Sequence, residues 1–353
     1  MMKVKDVVKK AKPISEQAKV DIALQQLRDK REGKEVAIKV LQERVVKLEA
    51  ENEVFSSIRD IPPQVIDIPS TAPSGTSESI ACFVWSDWHI EETVLLEQVS
   101  HRNEYNLKVA EARFLNLLHG GVAWWKIASR DTSIKTIILA LLGDFITGSI
   151  HEDLAEGNQL SPAEAIHKAY SLIVTGIKFM LKNTPRDVTF IIPCHSGNHG
   201  RMTKKQRIAT EAGNSLEYFM YKMLQDYFAT EKRITFIVQP GYHSYVRCFE
   251  GEYNIRFHHG HQMNYQGGVG GISISVNKAI AQWNKSVSDI SLDVFGHFHT
   301  RVDGGNFICN GSMIGMTAYG VSIKASWEPP SQTFFLINKK YGAKTLVAPI
   351  FVD

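Results

Sequence analysis

From Ile80 onward the chain alternates between short apolar runs and longer stretches of helical period. The runs "IACFVW", "TIILALL", "VTFIIPC", "ITFIV", "NIRFHH" and "SLDVFG" have the length and β-branched content of buried strands, while residues 161–182 and 211–229 place apolar positions three and four apart. Strands that alternate with helices predict an α/β layered fold in which helices cover sheets. Upstream the pattern changes. Residues 1–58 contain Pro13 and Gly33 as their only breakers and are rich in Lys, Glu, Gln, Leu and Val, so they predict helix. Within them Ile38, Leu41, Val45, Leu48, Asn52 and Phe55 form an alternating seam, with Leu24 and Leu27 in register and Arg31 and Lys34 interrupting it. Such a seam suits a parallel two-stranded coiled coil, so residues 36–58 are expected to form a homodimer contact; an amphipathic helix packed on its own domain is the alternative. Residues 59–79, rich in Pro, Ser, Thr and Gly, read as a linker, leaving residues 80–353 as the main domain.

Composition narrows this picture. At 353 residues and 44% hydrophobic content, the chain can fill a large core. No run approaches the roughly 20 apolar residues of a membrane span, and "MMKVKDVVKKAKP" lacks the apolar centre of a secretory signal, so a cytoplasmic protein without a membrane partner is expected. Cys82, Cys194, Cys248 and Cys309 are scattered without a CxxC pair and read as buried, reduced thiols. The net charge of +3 is concentrated early: residues 1–59 hold 14 Lys and Arg against 10 Asp and Glu, leaving 26 against 27 elsewhere. Bulk charge thus gives the main domain no nucleic-acid signature.

Candidate chemistry gathers where the apolar runs stop. "WSDWH" carries Asp87 and His89, "LLGDF" Asp144, "SGNHG" Asn198 and His199, "FHHGH" His258, His259 and His261, and "FGHFH" His297 and His299. Loops at the carboxyl ends of strands are where α/β sites assemble. A strand's period of two is expected to aim both members of D-x-H and H-x-H at one centre. Each fragment alone has a bland reading as a turn or a surface pair, but five in one chain, each at a strand end, point to a metal site. "CHSGNHGRMTKKQR" adds Arg201, Lys204, Lys205 and Arg207 beside His199, a basic run that reads either as a substrate-binding patch or as a solvated helix entrance.

The order D-x-H, GD, GNH, H-G, GHxH over residues 83–299 resembles the calcineurin-like metallophosphoesterase superfamily, and most closely its SbcD-type DNA repair exonucleases. The resemblance implies a four-layer αββα sandwich of two mixed sheets flanked by helices, with two divalent ions. It implies Asp87, His89 and His299 as ligands of the first ion, Asn198, His259 and His297 of the second, Asp144 as the bridge, and His199 as general acid for attack by a metal-bridged hydroxide. Mixed imidazole and carboxylate donors suit Mn²⁺ first, with Fe, Zn or Ni as further candidates. The implied activity is phosphodiester hydrolysis with nucleic acid as substrate and Arg201, Lys204 and Lys205 holding it. Phosphoprotein phosphatase and small-molecule phosphodiesterase activities share the same motifs, and a non-catalytic protein retaining the fold is the third reading. SbcD relatives work with an ATPase partner and carry a capping domain; here 54 residues follow His299, which leaves room for a small cap or none. One departure stands out: Gly200 occupies the place of a carboxylate that usually follows the histidine, and Glu152 or Asp153 is expected to substitute. "QGGVGG", 266–271, lacks the spacing of a nucleotide cradle and reads as a rim loop.

Overall fold

A computed structural model describes residues 65–69, 77–150, 152–264 and 271–353, together with Val20, Asp21, Leu24, Gln25 and Lys39, which are helical. The chain divides into Met1–Pro62 and Pro63–Asp353. The seam expected over residues 36–58 lies outside the described residues apart from Lys39, as does the glycine loop apart from Gly271.

Among the described residues, the second unit contains twelve strands: β1 Val65–Ile68, β2 Ser79–Trp85, β3 Thr136–Leu141, β4 Thr189–Cys194, β5 Ile234–Val238, β6 Ser244–Cys248, β7 Tyr253–Phe257, β8 Leu292–Phe295, β9 Val302–Asp303, β10 Phe307–Cys309, β11 Ser331–Asn338 and β12 Ala343–Phe351. Six helices accompany them: α1 Leu107–Ala128, α2 Glu152–Gly157, α3 Pro162–Asn183, α4 Leu216–Tyr227, α5 Ser273–Trp283 and α6 Ala318–Ser322. The strands form two six-stranded mixed sheets, ordered β1-β6-β7-β8-β10-β9 and β12-β11-β2-β3-β4-β5.

Alternation along the strands builds the layers. In β2 and the end of β3, Ile80, Cys82, Val84, Ile138, Ala140 and Leu142 pack between the two sheets, where they meet Val246, Ile255, Phe257 and Val294. The intervening Ala81, Phe83, Trp85, Ile137, Leu139 and Leu141 pack on the opposite face against Phe114 and Leu118 of α1, Ile173 and Ile177 of α3 and Leu224 of α4. On the outer face of the other sheet, Val276 and Ile280 of α5 meet Phe295, Phe307 and Cys309. The layers therefore run helix, sheet, sheet, helix, the αββα sandwich expected of the chain. Strands buried on both faces read as unbroken apolar runs, which is why they are legible in the sequence.

One stretch differs from its reading as linker. Val65–Ile68 pairs parallel with β6, and Ile68 is buried, so this segment closes the edge of the first sheet. Its V-I-D-I alternation is short and flanked by prolines, which hides it in a composition scan. The four cysteines are buried and unbridged. Among the described residues no helix is long and apolar enough to cross a membrane.

Candidate metal centre

The apolar runs stop at Trp85, Leu141, Cys194, Phe257 and Phe295, and the chemistry begins within a few residues of each. Strands β2, β3 and β4 belong to one sheet and β7 and β8 to the other, so the site draws its donors from both sheets of the sandwich.

Period-two strand geometry is not what aims the D-x-H and H-x-H pairs. Asp87, His89, Asp144, His297 and His299 all have left-handed backbones, with φ of 56, 46, 53, 72 and 53°. Both pairs lie in irregular segments beyond the strand ends. A left-handed non-glycine residue costs on the order of 1–3 kcal/mol and persists only where its surroundings over-determine it. Here they do: the Asp87 amide donates to the Gly143 carbonyl at 2.9 Å, and the Trp88 and His89 amides donate to the Asp144 carbonyl at 2.8 and 3.1 Å. The His297 amide donates to Asp87 Oδ1 at 2.9 Å, and the His199 amide to Asp144 Oδ1 at 2.9 Å. Gly143 and Gly197 let two of the loops touch backbone to backbone: a Cβ on Gly143, itself left-handed at φ +86°, would lie 2.2 Å from the Gly197 nitrogen.

Among the described residues three sets of donor atoms result, each mutually within 4.8 Å: Asp87, His89 and His299; His89, Asp144 and His199; and Asp144, His259 and His297. His89 belongs to two sets, and so does Asp144. His89 Nε2 and His299 Nε2 face each other at 3.1 Å, and His299 Nε2 lies 3.5 Å from Asp87 Oδ1. His259 Nε2 lies 3.0 Å from Asp144 Oδ2, and the buried Asn198 Oδ1 has no hydrogen-bond partner.

Electrostatics divides the imidazoles. Burial drives His89 and His297 far below the ordinary imidazole range, with neighbouring imidazoles adding to the effect, so both are neutral near pH 7. His259 goes the other way, to about 10, because the Asp144 carboxylate outweighs its burial. Outer hydrogen bonds orient the ligands. His259 Nδ1 donates to the Leu142 carbonyl at 2.5 Å, and His89 Nδ1 meets Thr147 Oγ1 at 3.1 Å, which donates onward to Glu92 at 3.0 Å. Ser86 Oγ donates to Asp87 Oδ2 at 2.5 Å. Neutral His89 and His297, a His259 imidazole held beside the Asp144 carboxylate, the unpartnered buried Asn198 Oδ1 and a carboxylate common to two donor sets fit a pair of divalent cations.

A ring nitrogen of His199 lies within 4.8 Å of donor atoms of His89 and Asp144. Its Nδ1 donates to the Thr147 carbonyl at 3.1 Å, and that bond sets its orientation. Glu152 and Asp153, expected to orient it, sit exposed in the first turn of α2. A carboxylate that the motifs did not reveal is buried instead beneath the loops: Glu217, on α4, accepts from the Phe145 amide and from the Gly197 amide, each at 2.7 Å. In the sequence it reads as an acidic residue complementing a helix N-terminus.

The remaining histidines separate. His258 is fully buried and stacks on Phe295 with ring centroids 5.1 Å apart, whereas His261 pairs with Glu211 at 2.8 Å. Arg201 is half-buried and its Nη1 donates to the Asn198 carbonyl at 2.6 Å, while Lys204, Lys205 and Arg207 are exposed in an irregular loop rather than a helix.

No protein-family profile and no curated protein matches the chain. Among solved structures, a dimetal phosphatase from Danio rerio aligns over 78% of this chain and 99% of its own, at 10% identity and a TM-score of 0.33.

Proposed function

We propose that the chain is a dinuclear-metal phosphoesterase of the calcineurin-like superfamily that hydrolyses phosphodiester bonds of nucleic acid. The observation that supports this reading best is the Asp144 carboxylate, which belongs to one donor set with His259 and His297 and to another with His89 and His199, while His89 also belongs to the set of Asp87 and His299. Asp87, His89 and His299 would hold one ion, Asn198, His259 and His297 the other, and Asp144 both. Two such ions supply Lewis-acid stabilisation of charge at phosphorus and an acidified water.

The chain's own residues do the rest. With its Nδ1 proton committed to the Thr147 carbonyl, His199 presents Nε2 toward the donor cluster, where as imidazolium it gives a proton to the departing alkoxide. The interlocked loops keep the donors fixed while charge moves, so little reorganisation accompanies reaction. Lys204, Lys205 and Arg207, exposed next to this centre in the chain, favour a polyanionic substrate.

The deciding experiment is Mn²⁺ loading followed by metal analysis, with hydrolysis of bis-p-nitrophenyl phosphate as the rate assay. Two ions per chain and activity abolished by a chelator are expected. Fewer than one ion per chain, with no chelator-sensitive hydrolysis, would overturn the reading.

A further inference from the structure

We infer that Glu217 is the positioning residue of the metal centre, a carboxylate delivered from a helix to do what no residue of the ligand loops can do, and that Gly200 exists to admit it. The inference rests on the reading that Asp144 and Asn198 hold the ions.

The two loops that carry those ligands each leave one backbone donor pointing into the interior. The Phe145 amide, directly after Asp144, and the Gly197 amide, directly before Asn198, both end on Glu217, at Oε1 and Oε2 respectively, each at 2.7 Å. Glu217 is wholly buried. A carboxyl group has two oxygens that can each accept, so one side chain satisfies both amides and ties the loops together. Chain neighbours bring it there. The Leu216 amide donates to the Gly200 carbonyl at 2.9 Å and the Met202 amide to the Asn214 carbonyl at 2.8 Å, so the segment leaving His199 pairs with the entrance of α4. Ser215 caps that helix by accepting from the Tyr218 amide, which places Glu217 in its first turn.

Gly200 completes the argument. Its φ lies outside the left-handed region, so the backbone itself does not call for glycine. Space does: a Cβ there would lie 2.8 Å from Glu217 Cγ and 3.1 Å from Cδ. A side chain at 200 and the carboxylate at 217 compete for one volume. The two positions are therefore exchangeable sources of the same group, and a carboxylate is needed from one of them only.

The test is a set of four full-length variants read by Mn²⁺ titration calorimetry, with circular dichroism as the check on fold. Glu217→Gln keeps the shape but sets an amide donor against one of the two backbone donors. It is expected to weaken Mn²⁺ binding by about 10- to 100-fold, the usual effect of removing a partner behind a metal ligand. Amide exchange at Phe145 and Gly197 in the metal-free protein should accelerate in the same variant. Gly200→Glu alone should also weaken binding, since two carboxylates then crowd one space, whereas Gly200→Glu combined with Glu217→Ala should bind at least tenfold more tightly than Glu217→Ala. Wild-type affinity in Glu217→Gln, or a double variant that binds no better than Glu217→Ala or does not fold, overturns the inference. Recovery of fold by the double variant, where Glu217→Ala is unfolded, supports it. A wild-type chain that binds no Mn²⁺ would overturn the metal assignment itself, and this inference with it; two ions in wild type with no response in the variants overturns this inference alone.

Discussion

At His199 the hydrogen bond from Nδ1 to the Thr147 carbonyl settles which nitrogen faces the donor cluster, and the His199 amide bond to Asp144 settles where the ring sits. The contact to Asp144 is made by the backbone amide of His199, which alanine keeps, and the contact to Thr147 touches no proposed ligand. His199→Ala is therefore expected to retain two Mn²⁺ ions by metal analysis while kcat on a phosphodiester falls by about 10²- to 10⁴-fold, the range for loss of a general acid. Asp144→Asn should instead lower the metal content, because the shared carboxylate loses its charge and one of its acceptors. Equal metal loss in both variants would make His199 a ligand. The left-handed backbones of Asp87, His89, Asp144, His297 and His299 belong to the same scale: hydrogen bonds such as those from the Asp87 amide to the Gly143 carbonyl and from the Trp88 and His89 amides to the Asp144 carbonyl hold the proposed ligands in place.

Strands β7 and β8 carry His259 and His297 just beyond their ends, and one ion pair joins them underneath. Arg256 and Asp293 are register partners, both fully buried, joined by bonds of 2.6 and 3.0 Å, with the guanidinium 5.1 Å from the Trp283 ring centroid. Burial raises the Asp293 carboxyl, but His258 and Arg256 more than offset it, so its pKa is lowered in the fold. A lowered folded pKa adds stability that is present above about pH 4, the unfolded value, and lost as pH falls through the folded one. Asp293→Asn should cost about 3–5 kcal/mol near neutral pH, as for a buried pair deprived of one partner, with the difference from wild type shrinking in acid. Thermal unfolding at pH 7 and pH 3 checks both statements, and equal melting temperatures at pH 7 would refute them. The basic loop is a second case. If Lys204 and Lys205 neutralise phosphates of a nucleic acid, changing both to Ala should reduce the magnitude of the log-log salt slope of DNA binding by about 1 to 2. The rate on a small chromogenic diester, which needs no contact beyond the metal centre, should change little. An unchanged slope would favour a phosphatase acting on protein or metabolite.

For the whole molecule, the division at Pro62 and Pro63 and the strand at Val65–Ile68 together set where the chain can be cut. A chain beginning at residue 63 retains every proposed ligand, Asp87 to His299, and should fold and hydrolyse phosphodiesters as the full chain does. One beginning at residue 79 loses β1, uncovers the edge of β6 and removes the buried Ile68, so it should melt lower and aggregate more readily. We propose that residues 36–58 pair two copies in parallel, which predicts a dimer for the full chain and a monomer for the chain from 63 in sedimentation. The same oligomer for both would remove that role from the segment.

By itself the sequence determined the layers and the residues proposed as donors. Runs such as "TIILALL" are buried on both faces and so cannot be mistaken for amphipathic helix or loop, and Asp, Asn and His at five run ends name the chemistry through residue type alone. It could not show how those donors are aimed. The D-x-H and H-x-H pairs suggested strand periodicity, whereas the tertiary contacts of Gly143, Asp144 and Asp87 stabilise left-handed backbones that no local propensity favours. Nor could it show which carboxylate stands behind the loops. Glu152 and Asp153 lie nearer to Asp144 in the chain, but Glu217, 17 positions past Gly200, reaches the site because the entrance of α4 pairs with the segment after His199. Residue type is a local property that folding leaves unchanged; direction and proximity come from long-range packing, which exists only once both sheets and their helices have closed around the site.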